Sequence, residues 1–427
     1  MLRVRRLARV VGLVAVAVHL VALPAWAAPG DLDPTFSEDG VAVAAFPEHY
    51  GVARDVAVQF DGRIVAVGAM HVDMGIASDF ALVRYTFAGN LDPNFGRGGR
   101  ILTDFGGRYD EAEAVAVQED RKIVVVGDST DDIAVARYSA TGHLDRTFEG
   151  DGRTLIDLGG SETALDVAIQ PDGRIVLVGT DGPDFFVVRL LADGSLDPEF
   201  GVGGSVRTDF RGSQDTALAV AIQQDGMIVV GGFCVTGTRD DFALARYLPD
   251  GSLDQGFGTG GLVRTDFAGW EDRITDLVVQ TDGKIAASGE ASQYPGGADQ
   301  RSDVGVARYL PDGQLDPTFG HSGKVRTDFG SYFDEAQGMA VLADGRIVVA
   351  SPFFDVDHSV AAVARYQVDG HLDPSFGSGG IARTTVETSS DQVGGLTLIG
   401  DERISVVAGT SPTPGDFAFL ALRFLSA

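Results

Sequence analysis

Three aspartates could do chemistry together because of where they recur. Asp55, Asp166 and Asp276 each lie near the end of an apolar, β-branched run, in alternate units of an internal repeat. These runs are predicted to approach a central channel, where three carboxylates could hold a hard cation or a cationic ligand. The alternative is structural, because a repeated aspartate also caps turns by bonding to its own backbone. Both interpretations stay open on the sequence alone.

Other acids recur at positions that predict loops. One series falls in the predicted connections between repeat units, with Gly51 as the exception, and turn capping is its preferred interpretation. Its members are Asp110, Glu162, Asp215, Asp272, Asp334 and Asp391. Asp110, Asp215, Asp272 and Asp334 are also candidate ligand-binding residues, together with the three channel aspartates. A further series precedes the predicted third strands and indicates turn chemistry. It comprises Asp79, Asp132, Asp184, Asp241, Asp303 and Asp416.

The sequence contains no familiar catalytic or metal-binding motif. It lacks the Asp-x-Asp-x-Asp-Gly spacing of a calcium loop, a His-x-x-x-His pair, a Gly-x-Ser-x-Gly elbow and a phosphate loop. The leading hypothesis is therefore a non-enzymatic ligand- or protein-binding scaffold. The alternatives are a carbohydrate-active hydrolase or lyase, which would need two carboxyl groups about 5 to 9 Å apart for glycoside hydrolysis, and a purely structural surface module. A divalent cation is the one candidate cofactor, and otherwise no cofactor is expected.

The elements that position these acids come from a sevenfold repeat. A Leu-Asp pair followed by a phenylalanine recurs at intervals of 52 to 62 residues. Each unit contains two β-branched runs joined by a turn that is usually Asp-Gly, the signature of a hairpin, then a third run, a second tight turn and a fourth run. Runs that are apolar on both faces predict sheets stacked against neighbours. The units therefore predict an all-β, seven-bladed β-propeller of four-stranded antiparallel blades.

The two chain ends predict how the ring closes. The chain starts with an outer strand, Gly40 to Phe46, and stops directly after a third strand, Phe417 to Phe424. The last blade thus lacks a fourth strand and the N-terminus has a spare one. Pairing of the N-terminal strand with the last blade would close the ring and remove the exposed edges.

A constant arginine-to-aspartate interval predicts structural ion pairs. In six units the arginine that ends the third strand precedes the Leu-Asp aspartate by eight residues. This interval predicts a tie from the third strand to the fourth, bidentate where geometry allows, and Arg423 is predicted to pair with Asp33. The alternative is a ring of arginines that binds an anion. The arginines are Arg84, Arg137, Arg189, Arg246, Arg308, Arg365 and Arg423, and the aspartates are Asp33, Asp92, Asp145, Asp197, Asp254, Asp316 and Asp373.

The loops differ between the two ends of the predicted blades. Both tight turns of a unit must lie at one end, so the other connections share the opposite face. Loops between second and third strands on that face range from the short Gly127 to Asp132 to the long Gly289 to Asp303. Binding residues concentrate on variable loops over a rigid scaffold. This acidic loop face is therefore the predicted binding surface.

The repeat resembles a known family. The segment Asp241 to Asp254, followed by Gly258 to Gly261 and Arg264 to Phe267, resembles the delta-60 repeat, a β-propeller-like repeat of exported bacterial proteins. Its motifs recur in order over essentially all of residues 30–427, with local departures such as Leu190 in place of the tyrosine and Thr385-Val386 in the degenerate last unit. The resemblance implies a propeller, and it implies no catalytic residues.

The N-terminus and the composition predict export. Residues 1–27 have the charged, apolar and small-residue order of a secretory signal peptide, which leaves residues 28–427 as a single domain. The apolar run is shorter than the roughly 20 residues that span a bilayer. A net charge of −28 repels nucleic acid and anionic membranes, and the single Cys234 forms no intrachain disulfide. We expect a monomeric bacterial protein that is secreted, periplasmic or on the cell surface, with an extracellular ligand or protein partner, no nucleic-acid partner and no membrane span.

Overall fold

The computed structural model describes residues 27–46, 50–72, 77–210, 214–237, 239–267, 271–292, 301–354, 359–385, 392–400, 403–413 and 416–426. The regular elements within these residues are β-strands. The described part of the chain therefore holds no helix long and apolar enough to cross a membrane. The predicted signal segment, apart from its last residue, and the candidate Asp391 lie outside the described residues.

The strands form seven four-stranded antiparallel sheets within the described residues. The first strand, β1 (Val41–Phe46), belongs to the last blade. Blade 1 comprises β2 (Tyr50–Val58), β3 (Ile64–Val72), β4 (Ala77–Tyr85) and β5 (Arg100–Thr103). Blade 2 comprises β6 (Asp110–Val117), β7 (Ile123–Ser129), β8 (Asp132–Tyr138) and β9 (Arg153–Ile156). Blade 3 comprises β10 (Thr163–Ile169), β11 (Ile175–Thr180), β12 (Phe185–Leu190) and β13 (Ser205–Thr208).

The remaining blades follow the same order of first to fourth strand. Blade 4 comprises β14 (Asp215–Ile222), β15 (Ile228–Thr236), β16 (Arg239–Tyr247) and β17 (Leu262–Thr265). Blade 5 comprises β18 (Asp272–Val279), β19 (Ile285–Ser292), β20 (Ser302–Tyr309) and β21 (Lys324–Thr327). Blade 6 comprises β22 (Gly338–Val341), β23 (Ile347–Phe354), β24 (Ser359–Tyr366) and β25 (Ile381–Thr385). Blade 7 comprises β26 (Gln392–Ile399), β27 (Arg403–Thr413), β28 (Asp416–Leu425) and β1.

The ring closes through the two ends of the chain. β1 pairs antiparallel with β28, with Val41 opposite Leu422 and Phe46 opposite Phe417. The N-terminal strand thus supplies the fourth strand that blade 7 lacks in sequence. The predicted fold, a seven-bladed β-propeller of four-stranded blades closed by the N-terminal strand, is confirmed.

Hydrophobic cores lie between neighbouring blades. Val65 and Val67 of β3 share one core with Ile123 and Val125 of β7, and all four side chains are fully buried. Burial of each such side chain stabilises the fold by about 1.5–3 kcal/mol relative to exposure. β-Branched residues suit these middle strands because both faces of the sheet are covered. This packing fixes where the first strands stand around the axis.

The first strand of a blade is bent by a β-bulge before it lines the channel. In six blades its pairing with the second strand shifts register at the same position, as between Ala53 and Asp55 in blade 1. The backbones approach so closely there that a Cβ at Gly68 would lie 1.8 Å from the carbonyl oxygen of Val52. A bulge leaves backbone groups out of the strand ladder, and these groups need other partners.

Candidate functional site

The three channel aspartates follow the bulges of β2, β10 and β18. Oδ1 of Asp55, Asp166 and Asp276 accepts a hydrogen bond at 2.7 Å from the amide of the next residue. Oδ2 accepts a second bond from the first strand of the following blade. The donors are the amides of Val115 at 2.8 Å, Val220 at 2.6 Å and Met339 at 2.6 Å. Each carboxylate therefore bonds amides at the equivalent position of two neighbouring blades.

This sharing gives a physical reason for the alternation of the aspartates. The equivalent positions in β6, β14 and β22 hold Ala114, Ala219 and Gly338. The amide that follows each of these small residues is already bonded by the aspartate of the preceding blade. A carboxylate in every blade is therefore unnecessary. The aspartates lie inside strands and bond the amide of the next residue, so neither bond is the turn cap that the structural interpretation predicted, and the bond to the next blade was missed.

The channel aspartates share one cavity of about 290 Å³ with Glu113, Glu335 and Arg54. Residues from all seven blades line it, so it lies on the axis of the ring. Arg54 Nε lies 3.6 Å from Glu113 Oε1. Five carboxyl groups thus face one guanidinium among the described residues of this axial cavity. The glutamates and the arginine were missed, although Arg54 and Glu113 each directly precede a position of the alternating series.

Burial raises the pKa of the carboxyl groups in the axial cavity. The pKa of Asp55 rises to about 6 and that of Asp276 to about 7, although the bonded backbone amides oppose the change. Burial and then the negative charge of Asp55 raise the pKa of Asp166. Burial also raises the pKa of Glu113 to about 7 and raises that of Glu335. Asp55, Asp276 and Glu113 therefore change ionisation near neutral pH, and a bound cation would favour the ionised form of every carboxyl group in the cavity.

More acids surround the axial cavity on the loop face. Burial and the charge of Glu111 raise the pKa of Asp128 to about 7. Burial and the charge of Glu335 raise the pKa of Glu290 to about 7. Arg273, which lies opposite Glu290 in the strand register, contacts Asp240 at 2.6 Å. The surroundings of the cavity therefore add further negative charge that the nearby arginines balance only in part.

At the opposite end, which we name the turn end, each recurring arginine contacts its Leu-Asp aspartate. The distance from Nε to Oδ2 is 2.8 to 3.0 Å in all seven pairs. Arg423 contacts Asp33 at 2.9 Å, and both are 0% exposed. The contact uses one carboxylate oxygen rather than a two-oxygen fork, because Oδ1 accepts the amide two residues further on.

The same arginines link neighbouring blades, a role that the sequence analysis did not predict. Nη1 of Arg246 donates to the carbonyl oxygen of Pro311 in the next blade at 2.5 Å. Its guanidinium lies 4.5 Å from the ring centroid of Phe257, the phenylalanine of the repeat motif. Arg423 has the same arrangement, with Phe36 at 4.5 Å and a bond to Phe87 O in blade 1. The recurring phenylalanine is thus the surface on which the buried guanidinium packs.

A third group of carboxylates meets where one blade joins the next. Each cluster contains the acid near the start of a third strand, the acid after the fourth strand and the acid near the start of the next first strand. One carboxylate oxygen of each residue lies within 4.8 Å of the others. These junction clusters 1 to 5 are Asp79, Asp104 and Asp110; Asp132, Asp157 and Glu162; Asp184, Asp209 and Asp215; Asp241, Asp266 and Asp272; and Asp303, Asp328 and Asp334.

A loop amide holds the innermost acid of four junction clusters. Oδ2 accepts a 2.7 Å bond from the amide of the phenylalanine that follows Thr-Asp. The pairs are Phe105 with Asp110, Phe210 with Asp215, Phe267 with Asp272 and Phe329 with Asp334. Burial raises the pKa of all four aspartates, that of Asp272 to about 6. The sequence analysis treated the acids as separate series, and the structure brings them together.

The ring of four-stranded blades around an acidic axis defines this protein as a seven-bladed β-propeller. Six segments match the family model described as a domain of unknown function, DUF5122, beta-propeller; they are residues 59–95, 118–148, 170–200, 223–257, 280–319 and 342–376. The chain is thus consistent with a β-propeller repeat family, while the name delta-60 repeat stays an expectation. No curated protein matches the chain in sequence.

Several solved structures of low identity are similar to this chain, and the fold is supported by the one with a TM-score above 0.5, Sqt1. Sqt1 from Chaetomium thermophilum is 13% identical, with a TM-score of 0.52 over 90% of this chain and 98% of that chain. Virginiamycin B lyase from Staphylococcus aureus is 10% identical, with a TM-score of 0.48 over 90% and 99%. Drosophila Plexin A, solved with Semaphorin 1b, is 11% identical, with a TM-score of 0.48 over 89% and 86%. These similarities concern the fold alone.

Proposed function

We propose that this protein is an exported, non-enzymatic β-propeller that binds a small cationic ligand in the axial cavity of its loop face. The observation that carries the proposal is the charge of that cavity, in which five carboxyl groups and one guanidinium line about 290 Å³. Small-molecule sites typically enclose roughly 300–1,000 Å³. A compact amine or guanidine would match both the size and the charge.

The carboxylates of the cavity are fixed before a ligand arrives. Backbone amides on two blades orient each channel aspartate, as the two bonds to Asp166 show. Groups that are already ordered lose less freedom on binding, which favours affinity. Because the pKa values of Asp55 and Asp276 are raised to about 6 and 7, a cation should bind more tightly as pH rises and these groups ionise.

Calorimetric titration of the purified full chain with the diamine putrescine tests this proposal. Glu113→Gln and Glu335→Gln each remove one charge from the cavity without touching the amide bonds of the aspartates. Each should weaken binding about tenfold, which corresponds to about 1.4 kcal/mol. Glu119→Gln, at an exposed glutamate outside the cavity, is the matched control and should bind as the wild type does.

The expected pH dependence gives a second check on the same site. The dissociation constant should fall between pH 6 and pH 8 in the wild type, and less so in the two cavity variants. Absence of binding by the wild type, or equal affinities in all four proteins, would contradict a cationic ligand. A folded protein without any ligand would then favour the purely structural module.

Catalysis by the cavity carboxylates is the second candidate. The pKa values of about 6 for Asp55 and about 7 for Asp276 would allow a protonated and an ionised carboxyl group to coexist near neutral pH. General acid and base catalysis on a glycosidic bond needs such a pair. Turnover in a polysaccharide panel that is lost in Asp55→Asn and in Asp276→Asn and kept in Glu119→Gln would favour a hydrolase or lyase over a binding protein.

A further inference from the structure

We propose that junction clusters 2, 3 and 4 are Ca²⁺ sites, each of which holds one ion between neighbouring blades. The ion would contact acids at the third and fourth strands of one blade and at the first strand of the next. No residue of these clusters lines the axial cavity. The proposal therefore concerns different residues and does not depend on the proposed function.

Two buried carboxylate oxygens, one in cluster 3 and one in cluster 4, have no hydrogen-bond partner among the described residues, which favours a bound ligand. Asp215 is 0% exposed and Asp272 is 1% exposed. In both, Oδ2 accepts the amide of a phenylalanine, whereas Oδ1 is buried and has no hydrogen-bond partner among the described residues. In cluster 2, Glu162 Oε1 accepts the amide of Gly160, and its buried Oε2 likewise has no hydrogen-bond partner among the described residues. A buried oxygen without a partner costs about 1–3 kcal/mol, and more when charged, and a cation would remove this cost.

All three acids of a cluster are replaced at one junction. At the junction of blades 7 and 1, the three positions hold Ala418, Ala45 and Gly51, and Ala418 pairs with Ala45 in the register of β28 and β1. At the junction of blades 6 and 7, Val360 pairs with Thr385 at the first two positions, and the sequence keeps the acid Asp391 at the third. Turn capping acts on each aspartate separately and gives no reason for joint replacement. A shared ion gives that reason, because an incomplete ligand set is of little use.

The ligand type and charge favour Ca²⁺. Each cluster consists of carboxylates, and hard cations prefer such oxygen ligands. Ca²⁺ accepts six to eight oxygen ligands in a flexible geometry at about 2.3–2.6 Å, whereas Mg²⁺ needs a near-ideal octahedron at about 2.0–2.1 Å. Acids that come from three different strands suit the more flexible ion. Three carboxyl groups in one cluster also provide negative charge that a divalent cation can balance.

Calorimetric titration with CaCl₂ of the full chain, freed of metal by EDTA, tests the sites. The wild type should bind up to three equivalents, and its melting midpoint should rise with Ca²⁺ because the ion binds the folded state. Asp272→Asn keeps an acceptor for the Phe267 amide and should remove one equivalent. Asp266→Asn changes an exposed acid of the same cluster and should remove the same equivalent without endangering the fold. Glu119→Gln should keep the full number.

Three results would overturn the proposal. The first is no Ca²⁺ uptake by the wild type, and the second is unchanged stoichiometry in both Asp272→Asn and Asp266→Asn. The third is Mg²⁺ that competes with equal affinity at the same number of sites. Glu113→Gln separates the two sites, because it should weaken putrescine binding and leave the number of bound Ca²⁺ ions unchanged.

Discussion

The two ends of this propeller use repeated carboxylates in opposite ways. At the turn end the carboxylates contact arginines of the chain, and burial of Asp373 is outweighed by bonds from Ser375 and by Arg346 and Arg365, so that its pKa falls to about 2. At the loop end burial prevails, and it raises the pKa of Asp272 to about 6 and that of Asp276 to about 7. At the turn end, arginines of the chain neutralise the aspartates, which have a structural role. At the loop end there are too few arginines, so the carboxylates are available to an external cation.

The ends also differ in how completely the repeat is kept. All seven arginine–aspartate contacts are present, including the one that joins Asp33 to Arg423. The junction clusters occupy five of the seven junctions in the described residues. A closed ring needs every link, because one open junction exposes the apolar faces of two blades that are buried against each other. Binding sites that act one by one tolerate the loss of a member.

The largest effect should follow from breaking the turn end at the ring closure. Arg423→Met removes the buried partner of Asp33, which is 0% exposed, and leaves this carboxylate only the partly exposed Arg403. We expect a loss of about 3–5 kcal/mol in the free energy of unfolding, because breaking a buried ion pair is strongly destabilising. Urea denaturation followed by circular dichroism measures this loss. Arg403→Gln is the matched control, since Arg403 contacts the same oxygen from a side chain that is 26% exposed, and it should cost less than about 1 kcal/mol. A loss below that level in Arg423→Met would show that the closure does not depend on this pair.

The pH dependence of stability should separate the two ends. Raised carboxyl pKa values make the folded state bind more protons than the unfolded state between about pH 4 and pH 7, so the loop end lowers stability as pH rises through this window. Lowered pKa values, such as about 2 for Asp145 and Asp373, remove the stabilisation by the turn end as pH falls from about 4 to 2. We expect the melting midpoint in EDTA to be highest near pH 4 and to fall by several degrees towards pH 7.

Differential scanning calorimetry from pH 2 to pH 8 measures this profile. Addition of CaCl₂ at pH 7 should recover part of the midpoint lost between pH 4 and pH 7, whereas it should change little at pH 4, where the acids of the junction clusters hold more protons. A midpoint in EDTA that increases steadily from pH 4 to pH 7 is incompatible with destabilising carboxylates at the loop end.

A smaller effect should follow from removing a carboxylate that bridges two blades. Asp166→Ala deprives the amides of Val167 and Val220 of their acceptor, and we expect a loss of about 2 kcal/mol in unfolding free energy. Asp225→Ala is the control, because this exposed turn aspartate bonds one amide within its own blade, and it should cost less. Equal losses of unfolding free energy in the two variants, again measured by urea denaturation, would show that the bond between blades stabilises the protein no more than a turn aspartate does.

The smallest predicted effect follows from adding a basic side chain at the turn end. In six blades a second basic residue contacts the Leu-Asp aspartate, as Arg174 does with Asp197 at 2.9 Å. Blade 4 holds Met227 at this position, opposite Asp254. Met227→Arg should therefore stabilise the protein by about 0.5 kcal/mol, the usual value for a partly exposed ion pair. A thermal shift that disappears in high salt would support the pair, and a lower midpoint would contradict it.

The fold was predictable because a repeat multiplies weak local signals. One Asp-Gly between two β-branched runs predicts a hairpin, and a recurring unit of that kind predicts a ring. The missing fourth strand at Phe417 to Phe424 and the spare strand at Gly40 to Phe46 then define the closure. The arginine–aspartate contact was predictable because its two residues are separated by a constant eight positions across one tight turn. Local sequence is sufficient to predict a contact over so short a distance.

The candidate site was less predictable because its contacts cross from blade to blade. The bond from Val220 to Asp166 joins residues 54 positions apart. It also depends on a β-bulge, and no residue type in the sequence predicts where that bulge lies. The junction clusters likewise depend on the register of three strands. In blade 7 the sequence places Asp416 in the third-strand series, whereas the register of β28 and β1 shows that Ala418, opposite Ala45, holds the matching position. The joint replacement of Ala418, Ala45 and Gly51 therefore becomes visible only in the structure.

The channel aspartates each serve two blades, and seven is an odd number. Blades 1 and 2, 3 and 4, and 5 and 6 form three bridged couples, which leaves blade 7 with Gly395 at the equivalent position. Blade 7 is also the blade assembled from both ends of the chain. Because the number of blades is odd, blade 7 has no partner in this bridging pattern. At the turn end, the contact between Arg423 and Asp33 holds this blade together. We expect the contacts of blade 7 with its two neighbours to open more readily than the contacts within the three bridged couples.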